Sequence, residues 1–264
     1  MVTTVSGTLQ DSTNSFKLEA ADILLIHTKR SLWGWIIRRG THCYWNHALM
    51  VYSPGSPEKG YSDTLVVDAK TGGTIEMDRL RRYLQKKDKY DVAVKRFELD
   101  WFRGYGKKHS SDLRDRICSI AASEAVDKGS SSLLEIMKQI TRQARIIIRH
   151  FRHKIFGKKK SPKLGWGVRP REVKAFTCSG FVQWCYYKGV SQLREGHRVD
   201  KSKQKEVIFN PRAKKRNSPY ELLTTTPADL ARCHDLSWKY IIKDGLIKEF
   251  TGYKEEGALF LGIA

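Results

Sequence analysis

Over the first hundred residues, apolar positions come in short runs broken by polar ones. ADILLIHT (21–28) has the length and character of a buried strand, and NHALMVYS (46–53) and DTLVVDAK (63–70) are β-rich segments separated by the turn chemistry of SPGSPEKG. GGTIEMDRL and YDVAVKRF add two more runs, so residues 20–97 predict a small, mainly antiparallel sheet. WGWIIRR, between the first two runs, predicts a short helix. Residues 1–18 are polar and aperiodic, which predicts a loose tail.

Further on the period becomes helical. SSDLRDRICSIAASEAVDKG (110–129) opens on serines and an aspartate, carries an apolar stripe and ends in glycine. In the next segment Leu133, Ile136, Met137, Ile140, Ala144, Ile147, Phe151 and Ile155 share one helical face, while Lys138, Arg142, Arg145, Arg149 and Arg152 line the other. Gly157 and the following KKKSPK supply a stop. AFTCSGFVQWCYY (175–187) reads as a buried helix that opens on Thr177, Cys178 and Ser179. A polar, basic connector is expected from about 190 to 218. In TTPADLARCHDLSW, Thr226 is a good N-cap, Pro227 suits the first turn, and Asp229 complements the helix dipole. KYIIKDG and LIKEFTGY predict a closing strand pair. These elements give an α+β chain, expected as one domain over 19–264 with a helical basic insertion at 105–165.

Composition narrows the class. With 264 residues, 40% of them hydrophobic, the chain can bury a full core. No apolar run approaches the ~18 residues of a membrane span, and the first twenty residues lack the basic start and apolar stretch of a signal peptide. The expected setting is therefore the cytoplasm. Charge adds a partner: 49 Lys and Arg against 28 Asp and Glu give a net +21, a field that attracts phosphates and anionic lipid surfaces. From Lys138 to Lys174 there are thirteen basic residues and a single acid, Glu172. A basic face opposite a continuous apolar one suits an anionic membrane surface, contacted through residues 131–160, or a partner groove, while packing on the protein's own core is the commonest fate of such a helix. Nucleic acid fits less well, because the segment has neither a finger motif nor regularly interleaved aromatics.

Five cysteines, at 43, 118, 178, 185 and 233, include no C-x-x-C pair, and an odd count argues against a disulfide scaffold. His42, Cys43 and His47 lie together, as do Cys233 and His234, but they do not form the two sets of paired ligands usual for structural zinc. Cys178 is the cysteine with a chemical setting. If its helix begins near Thr177, then Cys178, Phe181, Val182 and Cys185 share a face, and the thiol stands beside the unpaired N–H groups of the first turn. Gly180 would allow another chain or a substrate to approach closely. A free thiol titrates near pH ~8.5, so ionisation at neutral pH needs a shift of about two units, roughly 3 kcal/mol, which a helix terminus alone rarely provides. An imidazole could supply the rest. His47 opens a strand whose Leu49 and Val51 lie on the same side, and Asp68 interrupts LVVDA in the same way, giving a nucleophile, a base and an orienting carboxylate. Taken singly, each has an ordinary explanation in core packing or turn formation; their joint occurrence is the signal. Trp33, Trp35 and Trp45 precede His47 and either border a cleft or pack the core.

ADILLIH, NHALMVY, LVVDA with GGTIEMDRL, FTCSGFVQW and TTPADLARCHDL together resemble the circularly permuted NlpC-like cysteine hydrolases, the papain-like group that includes YiiX-type proteins and lecithin:retinol acyltransferase. In that group the histidine strand precedes the cysteine helix, as here. The resemblance covers roughly residues 20–100 and 170–245. It implies a permuted papain-like fold, with a mainly antiparallel sheet packed against the helix bearing the cysteine. It also implies Cys178 as nucleophile, His47 as general base and then acid, Asp68 as orienting residue with Glu76 in reserve, and the Cys178 N–H in an oxyanion hole. The implied reaction is acyl transfer from a peptide, amide, ester or thioester, requiring neither metal nor organic cofactor; the basic segment has no counterpart in the group and reads as an insertion that brings the protein to an anionic surface. The alternative reading is a basic nucleic-acid- or membrane-binding protein on the same fold without catalysis.

Overall fold

The computed structural model describes residues 17–56, 61–70, 74–128, 177–195, 200–216 and 219–250. Seven strands form one antiparallel sheet: β1 (Ile23–Thr28), β2 (His47–Ser53), β3 (Leu65–Ala69), β4 (Ile75–Arg79), β5 (Tyr90–Phe97), β6 (Leu236–Lys243) and β7 (Leu246–Glu249). Their order is β4-β3-β2-β1-β5-β6-β7, with the apolar run ILLIHT of β1 in the middle. The alternation that predicted strands also divides the core into two faces. Ile23, Leu25, Ala48, Met50, Val67, Ala93 and Ile241 face one way, and Leu24, Ile26, Leu49, Val51, Val66, Val94 and Ile242 the other. Asp244 and Gly245 turn β6 into β7 with φ of 53° and 83°, the backbone that a tight Asp-Gly hairpin requires.

Helices α1 (Leu32–Thr41) and α2 (Arg81–Leu84) occupy strand connections, and α3 (Asp100–Lys128) follows β5. The cysteine helix is α4 (Cys178–Glu195). Phe181, Val182, Cys185, Tyr186 and Val190 of α4 are buried with Leu113, Ile117 and Ala121 of α3 on the first sheet face. Tyr83 and Leu84 of α2 pack on the second face. The closing helices are α5 (Lys201–Glu206), α6 (Pro211–Arg216), α7 (Pro219–Leu222) and α8 (Pro227–Arg232). Helix α8 begins as its sequence predicts, with a capping box in which Thr226 and Asp229 satisfy each other's backbone N–H groups. Among the described residues, no helix is long and apolar enough to cross a membrane.

The structure departs from the sequence pattern in several places. Helix α3 starts at Asp100, ten residues before the expected 110, and runs through Gly104 and Gly106. The reason is tertiary: Phe102 stacks edge-on to Phe97 with centroids 4.8 Å apart and lies over Tyr186, so aromatic packing overrides the poor helix propensity of glycine. The expected insertion at 105–165 overlaps α3 up to residue 128, where Leu113, Ile117, Cys118 and Ala121 belong to the core. The rest of it, including the basic amphipathic segment 131–160, lies outside the described residues. Residues 190–218 are more than a connector: they include the end of α4 together with α5 and α6, and Val207, Ile208, Phe209 and Asn210 are buried. Gln183 of α4 holds this segment by donating to the Val207 carbonyl and accepting from the Phe209 N–H. Of the expected tail, 1–16 lies outside the described residues, whereas Leu18 is already buried against the second sheet face.

Candidate active site

Helix α4 starts where the sequence predicts because Thr177 caps it. The Thr177 hydroxyl accepts from the Gly180 N–H at 2.9 Å, and its carbonyl accepts from the Phe181 N–H at 2.8 Å. The N–H groups of Cys178 and Ser179 then have no acceptor within the helix. The end of the helix is clamped to the segment before α8: Ser179 Oγ donates to the Thr225 carbonyl at 2.7 Å, and Thr177 Oγ1 lies 3.2 Å from the Leu223 carbonyl. Glycine is required at 180, since a Cβ there would stand 2.4 Å from the Leu223 carbonyl oxygen. The sequence suggested room for a substrate at this position; the structure fills it with the chain's own backbone.

His47 is the first residue of β2, and Asp68 is the fourth of β3. Alternation places both on the second sheet face, with Leu49, Val51 and Val66. The imidazole Nε2 lies 2.7 Å from Asp68 Oδ1, and the ring is close enough to the Cys178 sulfur for each to shift the other's pKa. With Nε2 committed to the carboxylate, Nδ1 is the nitrogen left for sulfur. The pairs linking β2 to β3 are Met50–Val67, Val51–Val66 and Ser53–Leu65, short of His47 and Asp68. There the Ala48 backbone N–H is near enough to help lower the Cys178 pKa. The thiol thus arrives from the α4 side of the sheet and meets the histidine where β2 begins.

The charges match this geometry. Burial alone would push the His47 imidazolium toward neutrality, but the Cys178 sulfur and the Asp68 carboxylate hold its pKa well above the ordinary histidine value. Burial raises the Cys178 thiol, yet the charge and hydrogen bond of His47, with the Ala48 N–H, bring it below the ordinary thiol value. Opposite shifts in these two neighbouring groups favour a thiolate–imidazolium pair. Asp68 itself is pushed up by burial and pulled down further by His47 and Tyr83, so it stays ionised. The other cysteines contrast: burial raises Cys43, Cys233 and Cys118, the last to about 11. Cys178 is partly exposed, whereas Cys43, Cys118 and Cys185 are buried.

All three expected residues, Cys178, His47 and Asp68, are therefore brought together. Glu76, the reserve, pairs across the β3–β4 ladder with Asp68, but its carboxylate is engaged by Lys70. One participant was not anticipated: Tyr83 of α2 donates its hydroxyl to Asp68 Oδ2 at 2.9 Å, so both carboxylate oxygens are held. Burial, followed by Asp68, pushes the Tyr83 phenol well up, which keeps it a donor. A tyrosine in a four-residue helix, between Arg82 and Leu84, has no periodic signal, and only the approach of α2 to β3 reveals it. The tryptophans divide: Trp45 is core, 1% exposed beside Trp238, while Trp33 and Trp35 are exposed on α1. Among the described residues, no group of three or more His, Cys, Asp or Glu side chains is arranged to hold a metal ion.

No family model matches the chain, and no curated protein matches it in sequence.

Proposed function

We propose that this chain is a cysteine-dependent hydrolase or acyltransferase of the permuted NlpC-like kind, acting on an amide, ester or thioester. The observation that carries the reading is the hydrogen-bonded His47–Asp68 pair beside Cys178, with the thiol shifted down and the imidazole shifted up. The chain order, histidine strand before cysteine helix, and the antiparallel sheet against that helix support the permuted papain-like assignment. The proposed setting is the cytoplasm, with peripheral attachment to membranes.

In the reaction, the Cys178 thiolate attacks the carbonyl carbon and a carbon–sulfur bond forms. The developing oxyanion is held by the N–H groups at the start of α4, each such donor contributing roughly 3 kcal/mol in enzymes where it has been removed. The His47 imidazolium gives its proton to the departing amine, alcohol or thiol as that bond breaks, leaving a thioester on the enzyme. His47, now neutral, takes a proton from water or from an acceptor amine or alcohol, which attacks the thioester. Sulfur leaves as thiolate, and the ion pair is restored. Asp68 keeps one ring nitrogen protonated throughout, and Tyr83 fixes Asp68.

Alkylation with iodoacetamide at pH 6, read by peptide mass spectrometry, tests the thiol, and trapping of an acyl adduct from an activated ester tests the chemistry. The proposal expects Cys178 to be modified well ahead of the other four cysteines, with the preference lost in His47→Ala, and an ester-derived mass on Cys178. Equal, slow labelling of all five would instead favour the binding protein without catalysis.

A further inference from the structure

Helix α1 is apolar on the wrong side for a helix of a globular domain. Its seat on the protein is made by Gly34, which is buried, and Arg38, whose guanidinium donates to the Thr28 carbonyl at 2.9 Å. Gly34 fits so tightly that a Cβ would lie 2.1 Å from Asn46 Nδ2. Leu32, Trp35, Ile36 and Arg39, spaced i, i+3, i+4 and i+7, occupy the outer face, with Trp33 beside them. Leu32 is 75% exposed, and Trp33 and Trp35 are each 52% exposed. Among the described residues, the other exposed large apolar side chains, Met77, Val126 and Leu246, are scattered singly over β4, α3 and β7. Three in adjoining positions at one helix start form a patch, and a patch of this kind marks a docking surface.

Charge selects the occupant. Arg30 and Arg39 are exposed at either end of the helix, the Arg39 guanidinium lies 5.7 Å from the Trp35 ring centre, and the sequence from Lys29 to Asn46 contains no acidic residue. At +21 per chain, a second copy is repelled, while an anionic surface is attracted. Indole rings at an arginine-rimmed helix suit the headgroup level of a bilayer, with leucine reaching the acyl boundary.

We propose that α1 docks the protein onto an anionic lipid bilayer, inserting Leu32, Trp33 and Trp35 and placing Arg30 and Arg39 on the headgroups. Its residues are distinct in sequence from the basic segment 131–160. It adjoins the Cys178–His47 pair through Asn46, which packs under Gly34 and precedes His47 in the chain.

The test is flotation of the full chain carrying Cys178→Ala, so that no chemistry contributes, with phosphatidylcholine vesicles with and without phosphatidylserine. Expected is binding that requires phosphatidylserine and weakens with salt. Trp33→Ser and Trp35→Ser should each reduce partitioning roughly tenfold. Arg30→Ser with Arg39→Ser should also reduce it, and the exposed Leu246→Ser should not. Tryptophan variants that float like their parent, or no binding to phosphatidylserine vesicles, overturn the proposal. So does sedimentation showing a dimer that these substitutions dissolve. Because the parent is catalytically disabled, the outcome is independent of the alkylation test of the thiol.

Discussion

Replacing Asp68 with Asn removes one charge while preserving shape, and isolates what the carboxylate does for His47. Asp68 is almost fully buried, and its Oδ1 lies 2.7 Å from the imidazole Nε2. Hydrogen bonds to charged groups contribute about 1.5–3 kcal/mol net, and one pKa unit corresponds to ~1.4 kcal/mol, so the His47 pKa should fall by about one to two units. The assay is a titration of the histidine ring resonances by NMR, with His47 assigned by its loss in His47→Gln. In the native protein the His47 midpoint should stand well above the ordinary histidine value, as its partners Cys178 and Asp68 dictate; in Asp68→Asn it should move back toward it. The alkaline limb of any acyl-transfer activity should move down with it, because the leaving group then lacks its proton donor at lower pH. Linkage fixes the stability counterpart. The Asp68 pKa is depressed in the folded state, so its contribution is present above the ordinary carboxylate range and is lost as pH falls through the folded value. The stability gap between native protein and Asp68→Asn should close in acid. A His47 midpoint unchanged to within about 0.3 units would refute the assignment of Asp68 as the orienting charge.

Tyr83→Phe should leave His47 bonded to Asp68 but free Oδ2, lowering the acyl-transfer rate by roughly three- to tenfold with little change in KM, because only part of the about 1.5–3 kcal/mol of a hydrogen bond to a charged carboxylate is felt at His47. Gly180→Ala places a Cβ 2.4 Å from the Leu223 carbonyl oxygen. It should cost about 1–3 kcal/mol in urea unfolding and slow Cys178 alkylation by shifting the start of α4. Arg96 binds Asp22 through Nε and Nη2, each at 2.7 Å, and Asp22 is fully buried. Arg96→Met should therefore destabilise by about 3–5 kcal/mol. Burial already raises the Asp22 pKa, so that loss should shrink as pH falls and Asp22 takes up a proton.

The strand runs, the N-cap at Thr226 and the start of the cysteine helix at Thr177 were all legible in the chain, because each depends on residues within a few positions of one another. So was the oddity of a histidine and an aspartate opening or interrupting apolar strands, since alternation exposes a polar intruder. The sequence alone could not show that α3 continues through Gly104 and Gly106, because the stabilising contact of Phe102 with Tyr186 joins residues far apart in the chain. For the same reason Tyr83 was invisible: its function lies in the approach of α2 to Asp68. The three tryptophans look equivalent in sequence, yet the close seat of Gly34 on Asn46 leaves Trp33 and Trp35 outside while Trp45 enters the core. Local order thus selected the chemical groups, whereas the sheet register and the parting of β2 from β3 determined their meeting, because hydrogen-bond geometry between distant residues is set by the packing of whole elements.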